Sequence, residues 1–268
     1  MAIGAVLVPA FDVKGVGHAV KAALPFVDAF GAQLIVAHVR ERYPSGYVAE
    51  YYWHTSVVNE FEDGRKRRAE DIKTAAVEAI GSRESSWIEP EGSEETTYGV
   101  VARTADVIVA PPPGVCDTTY AESLLQSILV GSGRPVFIAP EGAAPAITKS
   151  YLVGWNGSVE AGRAIAVARP LLEAAEKVTI VSVGDVEGAA ADAAGVADAL
   201  AKSGVNAVGL NAEKRGSVTE TLQAVAGDFG ADALLLGGYS HSRLRERVLG
   251  GVTRRVIEKP PMPVILVH

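Results

Sequence analysis

Short apolar runs alternate with longer amphipathic stretches along the whole 268-residue chain. The runs AVLVPA (5–10), LIVAHV (34–39), ADVIVAP (105–111) and RPVFIAP (134–140) are too short for helices and end in turn-forming residues. That is the pattern of strands buried on both faces of a parallel sheet. WIEPEG (87–92) reads as a further strand, and helical stretches lie between them at about 17–30, 58–81 and 93–103. The pattern then repeats. YLVGW (151–155), TIVSV (179–183), AVGLNA (207–212), ADALLLG (231–237) and MPVILVH (262–268) predict strands, with helices at about 159–175, 187–203 and 217–229. Pro25 and Pro170 lie 145 residues apart, as do Val8 and Val153, so the two opening units share one register.

Each half therefore reads β-α-β-α-β-α-β-α-β. Strict alternation means a parallel sheet covered on both faces, and right-handed crossovers make it doubly wound. The expected architecture is α/β, with two tandem five-stranded parallel sheets in domains 1–142 and 148–268. EGAAPAITK (141–149), rich in Ala, Gly and Pro, is the linker between them.

Composition narrows the partners. The net charge is −7, so no global field draws the chain to nucleic acid or to an anionic membrane. The single cysteine, Cys116, permits no disulfide within the chain. No apolar run is long enough to span a bilayer. The opening MAIGAVLVPAFD lacks a basic flank and reads as a strand, not a signal peptide. A cytoplasmic protein is expected.

In an open α/β sheet, ligands sit beyond the carboxyl ends of the strands. One loop there stands out: Gly237-Gly238-Tyr239-Ser240-His241-Ser242-Arg243, followed by Gly250-Gly251-Val252-Thr253 at the start of the last helix. Glycines let a phosphate approach the backbone, and a helix N-terminus attracts anions. The other reading is a long loop with two flexible glycine pairs.

The segment Gly237-x-x-Ser240, nine residues, then Gly250-Gly251 resembles the nucleotide-binding signature of the universal stress protein family. That signature is Gly-x-x-Gly, nine residues, then Gly followed by Ser or Thr. The β-α order of both halves fits, so the chain looks like a tandem universal stress protein. The resemblance implies a Rossmann-like, adenine nucleotide alpha hydrolase-like fold and a role in stress response. It also implies ATP or a related adenine nucleotide, with magnesium, in the second half. Asn156, in the loop Trp155-Asn156-Gly157-Ser158, would stand where the family has its first-loop Asp, at the adenosine end with Trp155 beside it, and Val183 would offer backbone groups to the adenine. Gly237, Gly238, Ser240, His241, Gly250, Gly251, Val252 and Thr253 would form the phosphate loop. The departures are Ser240 for Gly, Gly251 for Ser or Thr, and Asn156 for Asp. Together they keep open an interaction scaffold that has lost nucleotide binding. No general base, metal constellation or nucleophile dyad is visible, so strong catalysis is not expected, with weak ATPase activity left open. An enzyme of the wider superfamily would need a substrate pocket that the sequence does not display.

The first half is more eroded. Pro111-Pro112-Pro113-Gly114-Val115 replaces the phosphate loop, Glu122 and Ser123 replace Gly250 and Gly251, and Phe11, followed by Asp12, replaces the family Asp. Proline removes backbone donors and a carboxylate repels phosphate. This half is expected to be structural. By the family pattern, the halves pair through Phe137–Pro140 and Val264–Val267, and a homodimer or an unidentified protein partner is plausible.

Other candidates carry less. Gly15-Val16-Gly17-His18 lacks the third glycine of a dinucleotide fingerprint, having Val20 there, and reads as a flexible helix start. His38 reads as a structural strand residue, and Cys116 as an incidental small one. Arg65-Lys66-Arg67-Arg68 reads as a solvated helix face pairing with Glu60, Glu62, Asp63, Glu70 and Asp71. Arg243, Arg245, Arg247, Arg254 and Arg255 flank the glycine loop and either neutralise phosphate or pair with Glu246 and Glu258. The aromatic segment 43–53 reads as a plug over the first site or the junction of the halves.

Overall fold

The computed structural model describes residues 3–41, 55–143, 148–184, 192–238 and 251–268. In the first half the elements are β1 (Ala5–Pro9), α1 (Val13–Phe30), β2 (Gln33–Ala37), β3 (Arg40–Glu41), α2 (Thr55–Ile80), β4 (Ser85–Ile88), β5 (Glu91–Gly92), α3 (Glu94–Ala102), β6 (Val107–Ala110), α4 (Ala121–Ser132) and β7 (Val136–Ile138), with a 3₁₀ turn at Pro113–Val115. The second half has β8 (Ser150–Gly154), α5 (Val159–Val167), α6 (Arg169–Glu173), β9 (Lys177–Val183), α7 (Ala193–Lys202), β10 (Ala207–Ala212), α8 (Val218–Phe229), β11 (Ala233–Gly237), α9 (Gly251–Glu258) and β12 (Val264–Val267).

The two sheets expected from the sequence are one. Ten strands run β10-β9-β8-β11-β12-β7-β6-β1-β2-β4, and all neighbours are parallel except β12 and β7. Within each half the principal strands, in chain order, take the doubly wound arrangement 3-2-1-4-5. The halves meet at their fifth strands, with Ile265 opposite Phe137. Val136–Ile138 and Val264–Val267 are apolar throughout and buried, so each would be an aggregation-prone edge without the other.

The hydrophobic core follows this junction rather than stopping at it. One apolar layer lies between the sheet and α1, α2, α5, α6 and α7, and the other between the sheet and α3, α4, α8 and α9. Both layers contain residues of both halves. Phe26 of α1 packs edge-on against Phe137 at the junction, with ring centroids 4.9 Å apart.

Several boundaries differ from expectation. α1 begins at Val13, because Asp12 caps it by accepting the Gly15 amide. The glycines at 15 and 17 are therefore helical residues, not a flexible lead-in. WIEPEG is divided: Ser85–Ile88 joins the main sheet, while Glu91–Gly92 pairs with β3 in a separate two-stranded ribbon. Pro90, which has no N–H to give to a ladder, stands between them. The helix expected over 159–175 breaks at Ala168, just before Pro170. α7 begins at Ala193, with Asp192 accepting from Gly195. The aromatic segment 43–53 lies outside the described residues.

Candidate functional site

In the second half the chain leaves β8 toward β9 on one side and returns as β11 on the other, so the crevice of this half lies between β8 and β11. Trp155, Val183 and Gly237 stand at the carboxyl ends of adjacent strands. The Trp155 amide donates to the Val181 carbonyl at 2.8 Å. The turn that follows is built locally. Asn156 Oδ1 accepts from the Ser158 amide at 3.1 Å, and Ser158 Oγ accepts from the Ala161 amide at 3.2 Å, capping α5. Gly157 between them sits at φ +72°, a conformation that favours glycine.

Gly237 and Gly238 have different reasons to be glycine. A Cβ on Gly237 would lie 2.5 Å from the Glu160 carbonyl carbon, so only a bare backbone lets β11 end against the start of α5. A Cβ on Gly238 would meet Leu129 of the first half at 3.4 Å and Thr253 Cγ2 at 3.9 Å, both ordinary contacts. The Gly238 amide donates to the Val267 carbonyl at 2.7 Å, and its carbonyl accepts from His268 Nδ1 at 3.1 Å. Thr253 is buried and Val252 half-buried. The structure thus brings together the two ends of the glycine loop, Gly238 and Thr253, with Leu129 of the first half against them. Gly251 opens α9. Ser240, His241, Gly250 and the arginines at 243, 245 and 247 lie outside the described residues. Arg254 pairs with Glu258 at 2.7 Å, and Arg255 donates to Ser217 Oγ at 3.3 Å.

The matching crevice of the first half, between β1 and β6, is filled by the chain itself. Asp12 Oδ1 takes the Gly15 amide and Oδ2 takes the Thr118 amide, at 2.8 and 2.9 Å. Gly15 lies so close to the loop after β6 that a Cβ would meet Cys116 Sγ at 2.9 Å and Pro111 Cγ at 3.2 Å. Burial pushes the Cys116 thiol up to about 12, which keeps it protonated and a poor nucleophile. Phe11 is fully buried and packs edge-on against Tyr98, whose hydroxyl donates to the Ala10 carbonyl at 2.9 Å. Glu122, in the first turn of α4, accepts from Gln126 and lies near enough to Arg254 of the second half to act on it electrostatically.

Three polar residues here escaped the sequence. Arg68 was expected on a solvated face; instead it reaches over β1 and donates to the Phe11 carbonyl at 2.9 Å. It also donates to the Tyr120 hydroxyl, which in turn hydrogen-bonds Glu94. Of its basic run, Arg65 does pair with Glu62, at 3.2 Å. The available signal was position: Glu94 opens α3 and Tyr120 immediately precedes α4, both at the carboxyl side of the sheet. His38, expected as a structural residue of the second strand, lies just past the end of β2; it is buried, with Nδ1 donating to the Ala10 carbonyl at 3.0 Å.

Comparison with known proteins gives the second half a class. Residues 148–268 match the model of the Universal stress protein family. The whole chain is similar in fold to a universal stress protein of Archaeoglobus fulgidus DSM 4304: TM-score 0.70, 16% identity, 98% of this chain and 95% of the other covered. It is also similar to a candidate universal stress protein of Pseudomonas aeruginosa UCBPP-PA14, with TM-score 0.56, 13% identity, and 99% and 93% covered. No match was found among curated proteins. No helix among the described residues is long and apolar enough to cross a membrane.

Proposed function

We propose that the chain is a cytoplasmic stress-response protein built from two universal stress protein domains, 1–142 and 148–268, of which only the second takes an adenine nucleotide. What carries this reading is the meeting of Gly238 and Thr253 beside the β8–β11 crevice, inside the segment that matches the family. The residues fit such a ligand. Trp155, Asn156 and Val183 would hold the adenosine end. Gly237, Gly238 and the start of α9 would face the phosphates, with Ser240, His241 and Gly250 completing the loop. Helix N-termini and bare backbone favour anions. Magnesium would come with the nucleotide. The first half, closed by Asp12, Arg68 and Cys116, is a structural partner. The protein acts as a regulator rather than a catalyst, alone or as a homodimer. Titration with ATP, ADP and AMP at physiological magnesium tests it; no binding at millimolar nucleotide overturns it.

One observation favours a second reading, a scaffold without nucleotide. Asn156 Oδ1 is already engaged by the Ser158 amide, and the side chain carries no charge. On that reading the triple change Asn156→Asp, Ser240→Gly, Gly251→Ser creates binding that the natural chain lacks.

A further inference from the structure

Among the described residues the main sheet ends in β4 on one side and in β10 on the other. The fifth strands of the two halves, β7 and β12, are already paired with each other. The two outer strands differ. β4 is four residues long, follows Arg83 and Glu84, and is succeeded by Glu89 and Pro90. Shortness, charge and proline are the devices that keep a sheet edge unpaired. β10 reads AVGLNA, with neither a charge nor a proline.

The hydrogen bonds give that edge a direction. The Asn206 carbonyl accepts the Val178 amide and the Ala212 carbonyl accepts the Gly184 amide, so the even-numbered residues of β10 turn their backbone groups toward β9. Alternation turns the amides and carbonyls of Ala207, Gly209 and Asn211 outward, where no strand among the described residues pairs with them. One face of β10 is covered closely, since a Cβ on Gly209 would meet Ala194 Cα of α7 at 2.4 Å. The other face is covered in part: α8 lies over β8 and β9, and Val208 is 44% exposed.

A second copy of the chain complements this edge. Set antiparallel with Gly209 opposite Gly209, it places Ala207 opposite Asn211 at both ends, so each outward amide and carbonyl gains a partner. Val208 then falls opposite Leu210 of the second copy, on the incompletely covered face, and each leucine shields the other copy's valine. The charges agree. Continued past the ladder, this register brings Lys214 and Arg215 beside residues 204 and 203 of the second copy, at the C-terminal end of its α7. The free carbonyls there carry partial negative charge. Glu213 comes beside Val205, close in sequence to Lys202 in the last turn of the same helix.

We propose that β10 is a homodimer edge, pairing antiparallel with β10 of a second copy about a twofold axis at Gly209 and joining the two sheets into one. The contact uses neither Gly237, Gly238 nor α9, so it holds or fails independently of nucleotide binding.

Sedimentation and hydrogen exchange of the full chain test it. A dimer is expected with a Kd of about 100 μM or below. Exchange of the segment 207–212 is expected to slow as the concentration rises through that value. Val208→Lys places a charge on a side chain that is exposed in the single copy. Asn211→Pro removes one outward amide and spares the bonds to β9. Each is expected to weaken the dimer by about tenfold or more, while Val77→Lys, at an exposed valine of α2, leaves it unchanged. The proposal is overturned if the chain stays monomeric at about 0.5 mM. It is equally overturned if Val208→Lys or Asn211→Pro, folded by circular dichroism, dimerises as tightly as the natural chain, if Val77→Lys weakens the dimer as much, or if exchange at 207–212 does not change with concentration.

Discussion

Asp12 Oδ2 accepts the Thr118 amide at 2.9 Å, a bond that spans 106 residues and draws the loop after β6 onto the start of α1. The same carboxylate caps α1 through Gly15. Asp12→Ala removes a helix cap, about 1 kcal/mol, and strands the Thr118 amide, about 1–3 kcal/mol more. Urea unfolding should therefore show a loss of roughly 2–4 kcal/mol. A loss well below 1 kcal/mol would mean that this bond does not hold the first crevice closed.

The two neighbouring glycines of the second crevice separate cleanly. Gly237→Ala drives a Cβ into the α5 backbone at 2.5 Å, which cannot be relieved by a side-chain rotation. It should cost about 1–3 kcal/mol and weaken any ligand at the crevice, because β11 and α5 must part. Gly238→Ala meets its neighbours at 3.4 Å or more and should change stability by less than about 1 kcal/mol. Equal effects at the two positions, read by thermal unfolding, would contradict the packing described.

His38 gives stability a pH dependence of definite sign. Burial, the largest influence, lowers its pKa below the usual 6.5, with the Ala10 hydrogen bond opposing. The unfolded chain therefore binds the proton first as pH falls. The contribution is fully present above the unfolded pKa of about 6.5 and is lost as pH drops through that value toward the folded pKa. His38→Phe should flatten the stability profile just below pH 6.5 relative to the natural chain. Parallel profiles for the two proteins would show that His38 is not buried neutral.

The joint between β7 and β12 covers two apolar edges at once. Residues 148–268 expressed alone would expose Val264–Val267 as an unpaired, flat edge. Sedimentation should find this fragment dimeric or larger. A fragment that stays monomeric would show that the edge is not held by its apolar pairing.

Strand positions were legible because buried parallel strands are continuous apolar runs, and the 145-residue register exposed the repetition. AVGLNA is a strand over the residues expected, 207–212. What the sequence hid was long-range and polar. Nothing local announces that Arg68 spans to Phe11, or that Arg65, besides pairing with Glu62 in its own helix, donates to the Glu41 carbonyl. Asp12 is a cap three residues from Gly15, a short-range relation the pattern did contain but the glycines obscured. The joining of the halves at β7 and β12 was expected from the family resemblance, through Phe137–Pro140 and Val264–Val267; the antiparallel ladder that fuses the two sheets into one was not.

The most direct test of one live crevice and one closed crevice is the stoichiometry of ATP binding to the full chain, by calorimetry at physiological magnesium. One nucleotide per chain is predicted, lost in Gly237→Val and retained in Arg68→Ala. Two nucleotides per chain, or none, or one that survives Gly237→Val, would contradict it.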